Sequence, residues 1–174
     1  MPNWIGKSAI VTGGASGLGA ATAARLAKDG LMVTLFDLNE EQGRAHAEAI
    51  GGTFAKVDVS VPSSVAAGIA SAEAAHGVLR VLVNCAGIGG AVKTVSRGKA
   101  HDPALFERII RVNLIGSFNC ASQVAARMVS AEPIDADGAR GVIISTASDA
   151  AFDGQIGQLA YAASKGGIVA MTLP

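Results

Sequence analysis

The chain has 174 residues, 14 Lys+Arg against 14 Asp+Glu, half of its residues apolar and 16% charged, which fits a single domain over 1–174. A formal net charge of zero, with the basic residues scattered, lacks the electrostatic footprint of a nucleic-acid or acidic-membrane binder. Twenty-two glycines and only 4% aromatics imply a core of Ala, Val, Ile and Leu with closely packed backbones, and argue against disorder.

In chain order, β-branched runs predict strands at Ser8–Thr12, Met32–Asp37, Thr53–Val59, Leu79–Asn84 and Gly141–Ser145. Ala-rich stretches of helical period predict helices at Leu18–Asp29, Glu40–Ile50, Ser63–His76, Pro103–Met128 and from Leu159 onward. Such alternation is the pattern of βαβ units, so the expected fold class is α/β, a doubly wound parallel sheet covered on both faces. Ile88–Asp102 and Ser130–Arg140 read as loops. On such a sheet the chemistry belongs beyond the strand C-terminal ends.

Cys85 and Cys120 are too few for a disulfide framework and sit in apolar stretches, so they read as buried small hydrophobes in a reducing compartment. Residues 1–6 show no export signal, and no apolar run approaches the ~18 residues of a membrane span. A soluble cytoplasmic protein is expected. His46, His76 and His101 do not recur at ligand spacing, and no metal is implied.

The first strand runs into Thr12-Gly13-Gly14-Ala15-Ser16-Gly17-Leu18-Gly19 and then an Ala-rich helix. Glycines let a chain turn sharply, bring backbone against a pyrophosphate and open a helix whose N-terminal N–H groups face the anion. Gly13, Ser16, Gly17, Leu18 and Gly19 are therefore candidate cofactor-binding residues of a Rossmann-type turn; a tight turn with no ligand is the alternative. Asp37 ends the second strand, where a carboxylate can accept from the ribose hydroxyls and repel a 2′-phosphate. Neither Ser16 nor Leu38 supplies a positive charge, which favours NAD over NADP; capping the following helix is the other reading of Asp37. Asp58 and Val59 close the third strand, and Asp58 is a candidate for the adenine edge or an anchor of its own loop.

With Asn84-Cys85-Ala86-Gly87, Asn113, Ser148 and Tyr161-x-x-x-Lys165 following in order, the chain resembles the short-chain dehydrogenase/reductase family along essentially its whole length. Residues 141–174 and the two loop insertions look closest to its type II 3-hydroxyacyl-CoA dehydrogenase branch. Tyr161 and Lys165, four apart, share one helical face. A free phenol has a pKa near ~10, which a close ammonium brings toward neutrality.

The resemblance implies Tyr161 as general acid/base, Lys165 also on the nicotinamide ribose, Ser148 on the substrate oxygen and Asn113 holding a water for proton relay. Asn84, Ala86 and Gly87 would floor the cofactor site. It further implies an acyl-CoA small-molecule substrate and a homotetramer or homodimer joined through the two long helices, with Ala160, Ala163, Ser164 and Gly167 permitting close approach. The basic residues Lys93, Arg97 and Lys99 would suit a CoA phosphate; a solvated surface loop is the alternative. Steroid or sugar alcohol oxidation, 3-oxoacyl thioester reduction, and a binding module without turnover are the competing functions. A fold with two mononucleotide halves wants a sixth strand, so the natural polypeptide is expected to continue past Pro174.

Overall fold

The computed structural model describes residues 3–174. Strands β1 (Ser8–Thr12), β2 (Met32–Asp37), β3 (Thr53–Lys56) and β4 (Leu79–Asn84) alternate with helices α1 (Gly17–Lys28), α2 (Glu40–Ile50) and α3 (Pro62–His76). After β4 come a two-residue hairpin, β5 (Val95–Ser96) and β6 (Lys99–Ala100), then α4 (Pro103–Ile110), a π-helical turn (Arg111–Ile115) and α5 (Gly116–Val129). Strand β7 (Val142–Ser145), a 3₁₀ turn (Asp149–Ala151) and α6 (Leu159–Ala170) complete the order.

The five longer strands form one parallel sheet in the order β3-β2-β1-β4-β7. Alternation along β1 builds two cores. Ile10 faces Phe36, Val65, Ile69, Leu82 and Val124 under α3 and α5, while Ala9 and Val11 face Val33, Leu35, Ala23 and Ala47 under α1 and α2. Every residue of β1 is buried, because helices cover both faces of the sheet. The chain moves from β1 to β2 and β3 in one direction and to β4 and β7 in the other, so the C-terminal ends of β1 and β4 flank the switch point where such sheets bind ligands.

Three expectations about local structure are corrected. β3 stops at Lys56 and not Val59: Val57 N still donates to the Asp37 carbonyl at 3.1 Å, but Asp58 then turns the chain by taking Ser60 N and Oγ on its Oδ1 at 2.9 and 2.7 Å. Ile88–Asp102 is not all loop. Its β5–β6 hairpin turns on Arg97 and Gly98, with φ of 51° and 75°, the left-handed pair that a two-residue turn requires. The helix expected over Pro103–Met128 is three pieces, with the π turn at its centre.

Candidate active site and dinucleotide cleft

At the end of β1, backbone geometry makes the cleft. Gly13 has φ +66° and its α-carbon lies so close to β4 that an added Cβ would meet Ala86 Cα and N at 2.9 Å. Thr12 Oγ1, buried, holds that approach by accepting from Cys85 N at 3.1 Å and Ala86 N at 3.0 Å. Gly19 must be glycine because a Cβ would strike the Gly13 carbonyl. Gly17, at φ +54°, faces open space. Ser16 caps α1 without a side-chain hydrogen bond, so the first N–H groups of the helix remain for an anion in that space.

The cleft encloses about 890 Å³. Gly13, Ser16, Gly17, Leu18, Gly19, Asp37, Asp58, Val59, Ala86 and Gly87 all line it, so most of the cofactor candidates meet in one place. Asp37 Oδ2 accepts from Ala15 N at 3.0 Å and Oδ1 from Asn39 N at 2.9 Å. The cap of α2 is Asn39, whose side chain accepts from Gln42 N, so Asp37 is braced by the glycine turn and does not cap the helix. Asp58 lines the cleft and anchors its loop at once, the two readings of its sequence position being compatible.

Asn84 is corrected. It is 3% exposed and lies beneath the cleft, donating from Nδ2 to Ser117 O at 3.4 Å and Ser145 Oγ at 3.3 Å, with Oδ1 buried and unpartnered. Cys85, expected as a buried hydrophobe, is half-buried and lines the cleft. Cys120 is buried among apolar groups and its thiol is pushed up to about 12.

Beyond the cleft, α6 brings the other candidates to the end of β7. Lys165, 6% exposed, donates from Nζ to Thr146 O at 2.5 Å and stands 5.6 Å from the centre of the Tyr161 ring. Burial lowers its pKa from the ordinary lysine value, opposed in part by the Cys85 sulfur. Thr146 is itself tied to Asn84 O through Oγ1 at 2.7 Å. Ser148 begins the 3₁₀ turn, donating to Asp149 Oδ1 at 2.9 Å and accepting from Ala150 N at 3.2 Å.

Asn113 occupies the middle of the π turn, fully buried. Its Oδ1 accepts from Ile88 N at 2.8 Å, and Nδ2 donates to Ile88 O at 3.0 Å and Ser164 Oγ at 3.1 Å. One side chain thus fixes the loop after β4 to α6, while its carbonyl takes Ser117 Oγ at 2.7 Å. Of the small residues of α6, Ala160 and Ser164 are buried and Gly167 lies against Leu114, where a Cβ would meet Cδ2 at 2.6 Å, while Ala163 is exposed. Thr12, Leu38, Ile88, Arg108, Val112 and Thr146 complete the site. Thr12 stood in the glycine motif itself; the others carried no signal of their own.

Fold and cleft together define an α/β protein of the dinucleotide-binding type. The chain belongs to the short-chain dehydrogenases, whose family model matches residues 7–173. It is 50% identical over 173 residues to the 3-hydroxyacyl-CoA dehydrogenase type-2 of Homo sapiens, across 97% of this chain and 66% of that protein. Over 170 residues it is 37% identical to the 2-dehydro-3-deoxy-L-rhamnonate dehydrogenase (NAD(+)) of a Sphingomonas strain, across 97% of this chain and 64% of that one. The crystal structure of 3-hydroxyacyl-CoA dehydrogenase type-2 from Mycobacterium avium superposes with a TM-score of 0.90 at 44% identity, across 95% of this chain and 66% of that chain. The chain therefore spans 66% of the length of the human and mycobacterial relatives. No described helix is long and apolar enough to cross a membrane.

Proposed function

We propose that the protein catalyses the NAD-dependent, reversible oxidation of a secondary alcohol to a ketone, with 3-hydroxyacyl-CoA and 3-oxoacyl-CoA as its substrate pair. The observation that carries this reading is the placement of Lys165 Nζ, pinned to Thr146 O and 5.6 Å from the Tyr161 ring, next to a cleft built for a dinucleotide. A binding module without turnover has no use for a buried lysine beside a tyrosine.

Bound NAD supplies the hydride acceptor; the open space at Gly17, the free N-terminus of α1 and the Asp37 carboxylate fit its pyrophosphate and ribose. Tyr161 takes the hydroxyl proton of the alcohol through its phenolic oxygen. The Lys165 ammonium compensates the negative charge that gathers there, and its remaining N–H groups hold the nicotinamide ribose. Ser148 turns its O–H from Asp149 to the substrate oxygen. Asn113 keeps the Ile88 loop and α6 at fixed distance, and a water held beside it would carry the proton from Lys165 outward.

The acyl-CoA choice is supported by the names of the relatives and by the loop after β4 with its hairpin, where Lys93, Arg97 and Lys99 are exposed and enter none of the ion pairs among the described residues. Such a group suits the phosphates of CoA. The exposed Ile115, Phe118 and Val129 on the outer side of the α4–α5 unit support a homodimer or homotetramer, checked by light scattering at micromolar concentration. Free Cys85 and Cys120 suit a reducing, cytoplasmic location.

The deciding experiment is Tyr161→Phe. It should cut kcat by about 10²–10⁴-fold and leave NADH affinity nearly unchanged, and acetoacetyl-CoA should surpass a free secondary alcohol or a steroid in kcat/KM. Retained turnover in the variant would remove Tyr161 from the chemistry; a preference for the uncharged substrate would remove the acyl-CoA assignment.

A further inference from the structure

We propose that the guanidinium of Arg108 seats the adenine base of the dinucleotide, stacking on it from the α4 wall of the cleft; this rests on the cofactor reading above. The cavity runs from the glycine turn past Asp37 and Leu38 to Asp58, Val59 and Ser60, and α4 closes its far side with Ala104, Glu107, Arg108 and Arg111. A ribose held at Asp37 places its base in that far portion. The floor there is apolar: Val112 packs on the cluster that contains Val57 and Val59. Arg108 precedes Val112 by four residues, one turn along the same side of the helix.

The charges of this wall single out one group. Arg111 is paired with Glu107 at 2.8 Å, and the Asp37 and Asp58 carboxylates are braced by backbone N–H groups. Arg108 lines the cavity with no ion-pair or side-chain hydrogen-bond partner among the described residues. Phe36 alone of the lining residues is aromatic, and it is buried in the floor. A guanidinium is planar, weakly hydrated and stacks well on π faces, so Arg108 supplies the stacking surface that no aromatic residue provides here. The pyrophosphate has its own site at the opposite end, at Gly17 and the α1 N-terminus.

The test uses the complete natural chain, as wild type, Arg108→Ala and Arg108→Lys, with three probes: NADH, adenosine, and reduced nicotinamide mononucleotide, which has no adenosine. Arg108→Ala should weaken NADH and adenosine by the same factor, about three- to tenfold, with the mononucleotide unaffected. Arg108→Lys, which keeps the charge and loses the plane, should restore only a minor share. Unchanged NADH affinity overturns the proposal, as does weaker NADH with unchanged adenosine, which marks a phosphate contact. Equal weakening of the mononucleotide also overturns it, by showing a general distortion of the cleft. Wild-type protein that binds no NADH overturns the cofactor reading itself, and is read before any variant is made.

Discussion

Lys165 of α6 donates its Nζ hydrogen bond to the carbonyl of Thr146, at 2.5 Å, just past the end of β7. The lysine's pKa in the fold lies below its unfolded value because burial disfavours the ammonium. Between those two pKa values the unfolded chain binds more protons than the native one, so stability rises with pH through that window. Below it the cost of the buried charge is fully present. Lys165→Met should therefore raise the Tm by about a few degrees at neutral pH while abolishing turnover, and its advantage should shrink as the pH approaches that of a free lysine. Thermal melts across a pH series decide this, and a variant less stable than wild type at neutral pH would contradict it.

Asp37, braced by Ala15 N and Asn39 N, cannot swing aside for a 2′-phosphate. NADH should bind at least about tenfold more tightly than NADPH, the repulsion of like charges in a partly buried site being worth that much. Asp37→Ser should bring the two affinities together. Nicotinamide fluorescence titrations read both numbers, and equal affinities in the wild type would place the carboxylate away from the ribose.

Thr12 carries two N–H groups of the opposite strand end on one hydroxyl oxygen. Thr12→Val preserves shape and removes the acceptor, which should cost about 2–4 kcal/mol for two unpaired donors, whereas Thr12→Ser should stay within about 1 kcal/mol of wild type. Urea denaturation measures both. Two variants of equal stability would mean that the hydroxyl contributes nothing.

Gly13 and Gly17 both have positive φ, yet they should fail differently as alanine. At Gly17 a methyl group meets nothing within 4 Å, so the variant folds at a cost of about 1–2 kcal/mol and loses dinucleotide binding by filling the space an anion needs. At Gly13 the methyl meets the Ala86 backbone, and the loss should be substantially larger, in folding and binding alike. Circular dichroism melts paired with NADH titration separate the cases; a Gly17→Ala protein that binds normally would show that the open space is not the phosphate site.

The strands and the first three helices were legible because each has its own period and its own punctuation: β1, β2, β4 and α2 fall where residue patterning puts them. The π turn was not. From Ile109 through Asn113, Ser117, Cys120, Val124 and Met128, all buried, five steps cover nineteen residues, about one residue more than five α-helical turns. The periodicity alone reads as one slightly irregular helix, and only the packing of Asn113 between Ile88 and Ser164 shows where the extra residue is absorbed. Arg108 was illegible for a related reason: its cleft-facing position depends on how α4 packs against α6 and the π turn, which no local pattern encodes. The buried hydrogen bonds of Asn84 to Ser117 O and Ser145 Oγ were illegible too, because a strand-end motif does not reveal which way a side chain turns.

The hydroxyl of Thr12 and the amide of Ala86 that it holds are 74 residues apart, and at roughly 5–20 residues per second of synthesis the acceptor waits about 4–15 seconds for its donor. During that interval the nascent glycine turn has only one of its two walls, and the edge of β1 that β4 will occupy is bare. The cofactor cannot template the early chain on the ribosome. It can reward folding only after β4 has docked, so the nucleotide stabilises the finished cleft and not the nascent turn.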